Sequence, residues 1–85
     1  MKGTVHSMNP QRGMVAIETA GHGFTIIELL SDTHIEIGDL MEWSPDTGCG
    51  HQTYLNHTKG SRIQVYGQNH GVTPTLLRQQ LLFID

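Results

Sequence analysis

Short apolar runs, each broken by Gly, Pro or Asn, run the length of this chain. In residues 14–18, Val15 and Ile17 fall on one side and Met14, Ala16 and Glu18 on the other. That period of two predicts a strand. Residues 2–8 predict a strand before it, joined through Asn9-Pro10-Gln11-Arg12-Gly13. Pro fixes one dihedral of that turn, and Gly13 is free to take a positive φ. Ala20-Gly21-His22-Gly23 predicts the next turn, and residues 24–28 a third strand with Phe24 and Ile26 on a shared face. Residues 29–37 have no clean period; Ser31 or Asp32 would start a short helical turn there. Residues 39–43 predict a fourth strand with Met41 and Trp43 on one side, and residues 44–50 carry the residues of a loop. Two more β-like runs follow, residues 52–57 and 62–66 or slightly beyond. The pattern leaves open which of them closes a sheet.

The last stretch changes period. Thr73 suits a helix N-cap and Pro74 the first helical position. Leu77, Leu81 and Ile84 then repeat at i, i+4 and i+7, with Leu76 and Phe83 widening the stripe. A helix over about 74–83 is too short to stand alone in water. Its stripe must dock, either at an open end of its own barrel or as an interface with a partner or a second copy.

Eighty-five residues make one domain, 1–85. A chain of this length buries only about 60–65% of its unfolded surface, which limits its stability. Ten glycines scattered among short strands favour a small β-barrel over a helical bundle. The expected fold is therefore mainly β, a small five-stranded barrel with a short C-terminal helix. Five basic residues against eight acidic ones give a formal charge of −3, so the chain as a whole lacks the basic excess of most nucleic-acid binders. Protonation of its six histidines would move that charge to +3 in mild acid. Cys49 is the single cysteine and has no internal disulfide partner. No run approaches the roughly 20 apolar residues of a membrane span. A cytoplasmic, reducing location is the expectation.

Lys2-Gly3-Thr4-Val5, Asn9 with Arg12-Gly13, Ile17-Glu18 and the segment Ile35-Glu36-Ile37-Gly38-Asp39-Leu40-Met41-Glu42-Trp43 occur in an order and spacing that resembles a cold-shock domain, one branch of the OB-fold. The resemblance covers residues 1–43, about half of the chain. It implies an OB-like barrel and weak binding of single-stranded RNA or DNA. The family's stacking aromatics are missing, however. Ser7-Met8 stands where the family has Trp-Phe, Gly13-Met14-Val15-Ala16 where it has Gly-Phe-Gly-Phe, and Thr25-Ile26-Ile27 where it has Phe-x-His. Each base stacked on an aromatic ring contributes about 1–3 kcal/mol, so most sequence-tolerant affinity would go with that platform. The corresponding face would hold Thr4, His6, Ser7, Met14, Ala16, Thr25 and Ile27, while Val5, Val15, Ile17, Phe24, Ile26, Met41 and Trp43 would form the core.

The remaining strand-binding candidates are Lys2, His6, Arg12, Tyr54, Lys59, Arg62 and Tyr66, the tyrosines standing in for the lost platform. The alternative is a protein-interaction or self-assembly domain working through the de-aromatised face or through Leu77, Leu81 and Ile84. Cys49, His51 and His57 offer ligand types for a metal, with His70 further on, but not the paired spacing of structural zinc sites, and no metal or cofactor is expected. Cys49 lacks a helix N-terminus and a recognisable oxyanion loop, and Gly48-Cys49-Gly50 lacks the Lys-Ser/Thr of a phosphate loop. The reading is therefore non-catalytic.

Overall fold

The computed structural model describes residues 1–31, 34–45 and 49–83. Asp32, Gly48 and Ile84, on which parts of the sequence reading fell, lie outside the described residues. Six strands, β1 (Lys2–Asn9), β2 (Met14–Thr19), β3 (Gly23–Leu29), β4 (Leu40–Glu42), β5 (Gly50–Asn56) and β6 (Ser61–Val72), are followed by a 3₁₀ turn (Pro74–Leu76) and α1 (Leu77–Gln80). The strands close into one barrel in the order β1-β2-β3-β6-β5-β4, with β4 returning to β1. Every pairing is antiparallel. The chain is thus mainly β with a short C-terminal helix, with six strands rather than five. Both late runs take part: they pair with each other as a hairpin, and β6 continues to residue 72. The sequence pattern carries this strand to residue 66 or slightly beyond; pairing with β3, through two register shifts, extends it to residue 72.

The turn after β1 forms as its residues predict. Gly13 takes φ 68°, and Arg12 N–H donates to Asn9 O at 3.1 Å. Inside the barrel, Val5, Val15, Ile17, Ile27, Ile35, Met41, Trp43, Tyr54, Ile63 and Val65 are buried together. Trp43 and Tyr54 stack with centroids 4.7 Å apart and planes 6° from parallel. A second cluster lies on the outside of β2 and β3, where Met14, Ala16, Phe24, Ile26 and Val72 are covered by Leu81 and by half-buried Leu77.

This second cluster corrects the expected facing of β3. The register pairs Val15 with Ile27 and Ile17 with Thr25, so Ile27 and Thr25 point inward. Phe24 and Ile26 are buried, but on the opposite face from Val15 and Ile17. β3 carries apolar side chains on both faces, so alternation cannot choose between them. The β2–β3 connection sets the register, and one residue of slip would exchange the faces.

Candidate binding surface

Strand parity decides first which candidates reach solvent. On β5, Gln52, Tyr54 and Asn56 point inward, and His51, Thr53 and Leu55 outward. Tyr54, expected among the strand-binding residues, is 0% exposed and is a core residue. Both rows of β5 mix polar and apolar types, which hid this from the sequence. The Tyr54 hydroxyl has no hydrogen-bond partner among the described residues. Burial, with a smaller contribution from nearby Cys49, pushes its phenol well above the usual range.

Lys59 is also committed. Its Nζ lies 2.8 Å from Glu36 Oε1 and 3.3 Å from Asp39 Oδ1. Asp39 is buried, and its Oδ2 accepts bonds from Asn56 Nδ2 at 2.9 Å and from the Glu36 N–H at 3.0 Å. Burial pushes the Asp39 carboxyl up, but the bonds from Asn56, the Glu36 N–H and Lys59 outweigh it and hold the pKa below its usual value. Glu36 is likewise lowered, first by its hydrogen bond with Lys59 and then by that with His34. The Glu36 bond in turn raises Lys59. Asn56 Oδ1 accepts the Lys59 N–H at 3.0 Å, and Asp39 O accepts the Val5 N–H at 2.9 Å. Lys59 therefore clamps the closure between β1, β4 and β5, and is no free phosphate contact.

The other candidates scatter. Lys2 starts β1 opposite Glu42 of β4, and Arg12 lies in the turn beyond the far end of β1. Glu42 also meets His57 Nε2 at 2.6 Å, and that bond is the main cause of its lowered pKa. His6 sits at the register shift of β1, its ring edge-on to Phe24 at 5.0 Å and 71°.

Arg62 and Tyr66, by contrast, share the outward row of β6. They are four residues apart, about 13 Å along the strand. Across the ladder, His51 faces Tyr66, Thr53 faces Gln64 and Leu55 faces Arg62. Tyr66 is 42% exposed, and His51 meets it edge-to-face at 6.2 Å and 86°. Gln64 Nε2 donates to Thr53 Oγ1 at 2.9 Å. On its other side Tyr66 pairs with Glu28 of β3. Arg62 makes no ion pair among the described residues. Sequence reading considered His51 only as a metal ligand; its place beside Tyr66 follows from the hairpin register. Cys49, His51 and His57 do not converge. Cys49 Sγ lies 3.5 Å from Gln68 O, His57 bonds Glu42, and no group of three or more potential ligands forms among the described residues.

The C-terminal segment lies on the outer face of β2–β3 rather than in the barrel end, with Leu77 and Leu81 packed there and Leu76 and Leu82 exposed. The helical part of residues 74–80 is a 3₁₀ turn and one α-turn, and Thr73 is extended without a side-chain cap. Leu81, expected at an interface, is 2% exposed against the outer face of β2–β3, and Leu77 is half-buried beside it. Asn9 Nδ2 donates to Leu81 O at 2.8 Å and fixes the far end of this strap. The helix closes with Leu82 N–H on Gln79 O at 3.1 Å and Phe83 N–H on Arg78 O at 3.0 Å, a Schellman motif. Met14 and Ala16, assigned by the resemblance to the binding face, are thus buried beneath the chain's own C-terminal segment.

Comparison with family models, with curated proteins and with solved structures finds no match for this chain. No helix among the described residues is long and apolar enough to cross a membrane.

Proposed function

We propose that the chain is a non-catalytic binding module of cold-shock-like, OB kind that holds single-stranded RNA or DNA weakly on the outward face of the β5–β6 hairpin. The observation that supports this reading is the alignment on one outward ribbon of Tyr66, its neighbour His51 and Arg62, which makes no ion pair among the described residues. A base stacks on the exposed Tyr66 ring, and Arg62 meets a phosphate further along the strand. Lys2, His6 and Arg12 lie off this row, so few phosphates are neutralised. The Glu28 carboxylate beside Tyr66 and the overall charge of −3 keep the affinity low.

A fluorescence titration with a short labelled oligothymidylate tests the reading. Binding is expected below about 100 μM at about 50 mM salt, where phosphate attraction is strongest. With the single Arg62–phosphate contact, a fourfold rise in salt lowers affinity by about two- to threefold. Tyr66→Ala removes one stacked base and weakens binding by about five- to 150-fold. Absence of binding at low salt, or a Tyr66→Ala variant that binds like the parent, refutes it.

A second reading is favoured by a different observation. The strap's cover over the β2–β3 face leaves that scaffold face shielded from nucleic acid, while Leu82 and Phe83 stay exposed at its end. That combination suits a protein-interaction module on an OB-like scaffold.

A further inference from the structure

A carboxylate stands where a surface that attracts phosphates can least use one. Glu28 of β3 lies opposite Tyr66 of β6 in the ladder, on the same outward side. Opposed residues on one face have β-carbons about 4.5–5.5 Å apart, so the carboxylate is beside the exposed ring. Gln68, two residues after Tyr66 on the same row, donates from Nε2 to Glu28 Oε1 at 3.3 Å. Glu28 and Gln68 also line a recess of about 250 Å³, room for one nucleobase, with Met14 of β2 and with Gln79, Gln80 and Leu82 of the C-terminal strap. His51 flanks the Tyr66 ring from β5, whereas the recess lies on its β3 side. A carboxylate and three primary amides are thus gathered next to an aromatic ring.

Among the bases, guanine complements this set. Its pairing edge presents N1–H and N2–H side by side, spaced like the two oxygens of a carboxylate, with the O6 acceptor next to them. Adenine and cytosine offer a carboxylate one amino group beside a ring nitrogen that is itself an acceptor. Thymine and uracil offer one N–H flanked by two carbonyl oxygens, which repel it. The amides supply the donors that O6 needs. Each glutamine carries two N–H groups, and a carboxylate has about four acceptor sites, so the Gln68–Glu28 bond leaves both partners capacity. A lysine or arginine side chain would suit Glu28 but would bring no acceptor to the amides.

We infer that this surface selects a guanine base in the bound single strand. The base lies against the β3 side of Tyr66 with its pairing edge turned into the recess. Glu28 accepts from N1–H and N2–H, and the Gln68 amide donates to O6. Arg62 meets the backbone further along the row. The inference rests on the strand-binding reading and names the base it prefers. Glu28 then has two effects, lowering affinity for strands in general and restoring it for one base.

The test is a fluorescence titration of the whole chain with a short oligothymidylate that carries one central guanine. Matched strands with thymine, adenine, cytosine or inosine at that position are the controls. The guanine strand should bind about fivefold or more tighter than the thymine strand, the low end of what a bidentate pair discriminates. Inosine, which lacks the N2 amino group, should lose most of that gain. Glu28→Gln should abolish the preference while the all-thymine strand binds as well as before or better, because a negative charge has gone. Damage to the fold would instead weaken both strands, and the inosine comparison needs no variant at all. No guanine preference, an inosine strand that binds like the guanine strand, or a preference that survives Glu28→Gln overturns the inference and leaves strand binding at Tyr66 standing. Displacement of the strand by guanosine 5′-monophosphate at matched concentration would assign the recess to free nucleotides and overturn its role in strand selection. Absence of binding by every oligonucleotide removes both the inference and the reading beneath it.

Discussion

Replacing Tyr54 by Phe should stabilise this protein, although it deletes a polar atom from the centre of its largest aromatic pair. The ring itself is fully buried and stacks on Trp43 at 4.7 Å, and Phe preserves that stack. The hydroxyl is buried without a partner among the described residues. A buried polar group without its bond costs about 1–3 kcal/mol relative to solvation in the unfolded chain. Removing it also opens a small void, which returns part of that gain. A net stabilisation of about 1 kcal/mol is expected, or about 4–8 °C in melting temperature for a domain this small. Thermal and urea unfolding followed by circular dichroism, with fluorescence of the single tryptophan as a second probe, would measure it. A loss of 0.5 kcal/mol or more in Tyr54→Phe, on the order of a hydrogen bond's net contribution, would show that the hydroxyl is bonded and the reasoning wrong.

Three further outcomes follow from the packing and charges. Gly3→Ala should cost about 1–3 kcal/mol, because a β-carbon there would stand 2.6 Å from Ile17 Cγ2 and 2.7 Å from the Glu18 carbonyl; an unchanged urea midpoint would contradict the close approach of β1 to β2. Asp39 has a folded pKa below its ordinary 3.8, so its contribution is complete above that value and lost as pH falls through it toward the folded pKa. The urea midpoint should therefore drop below about pH 4, and Asp39→Asn should flatten that limb; an equally steep limb in the variant would place the acid sensitivity elsewhere. Leu81→Ala should cost about 2 kcal/mol, at the low end for a buried leucine because the strap can settle. Hydrogen exchange should then quicken in residues 73–83 and not in the barrel strands, and uniform quickening would mean that strap and barrel unfold as one unit.

Much of the barrel is legible in the chain because its signals are local. Pro10 and Gly13 mark the first turn, the alternation of β2 is regular, and the Gly-rich loop before β5 separates two strand-like runs. The binding surface is less legible. Tyr54 and Tyr66 look alike in the sequence, each with amide side chains two positions to either side, yet parity sends one into the core and the other to solvent. Lys59 reads as a free cation until the fold brings Glu36 and Asp39 to it, more than 15 residues away in sequence. The recess beside Tyr66 joins Glu28 and Gln68 to Gln79 and Gln80, and no local signal announces it.

The amino-acid pattern alone determines the strand-rich class, the positions of most turns, the lean core and the charge of −3, since each depends on neighbours along the chain or on composition. Tertiary structure decides what depends on register and closure. It chooses which apolar face of β3 looks inward, makes strands of both late runs, and lays the C-terminal leucines on the barrel wall. The physical reason is that a strand with apolar residues on both sides and a helix of one turn are each undecided in isolation. Only pairing with distant strands and burial of a shared face separates their alternatives by enough free energy to select one.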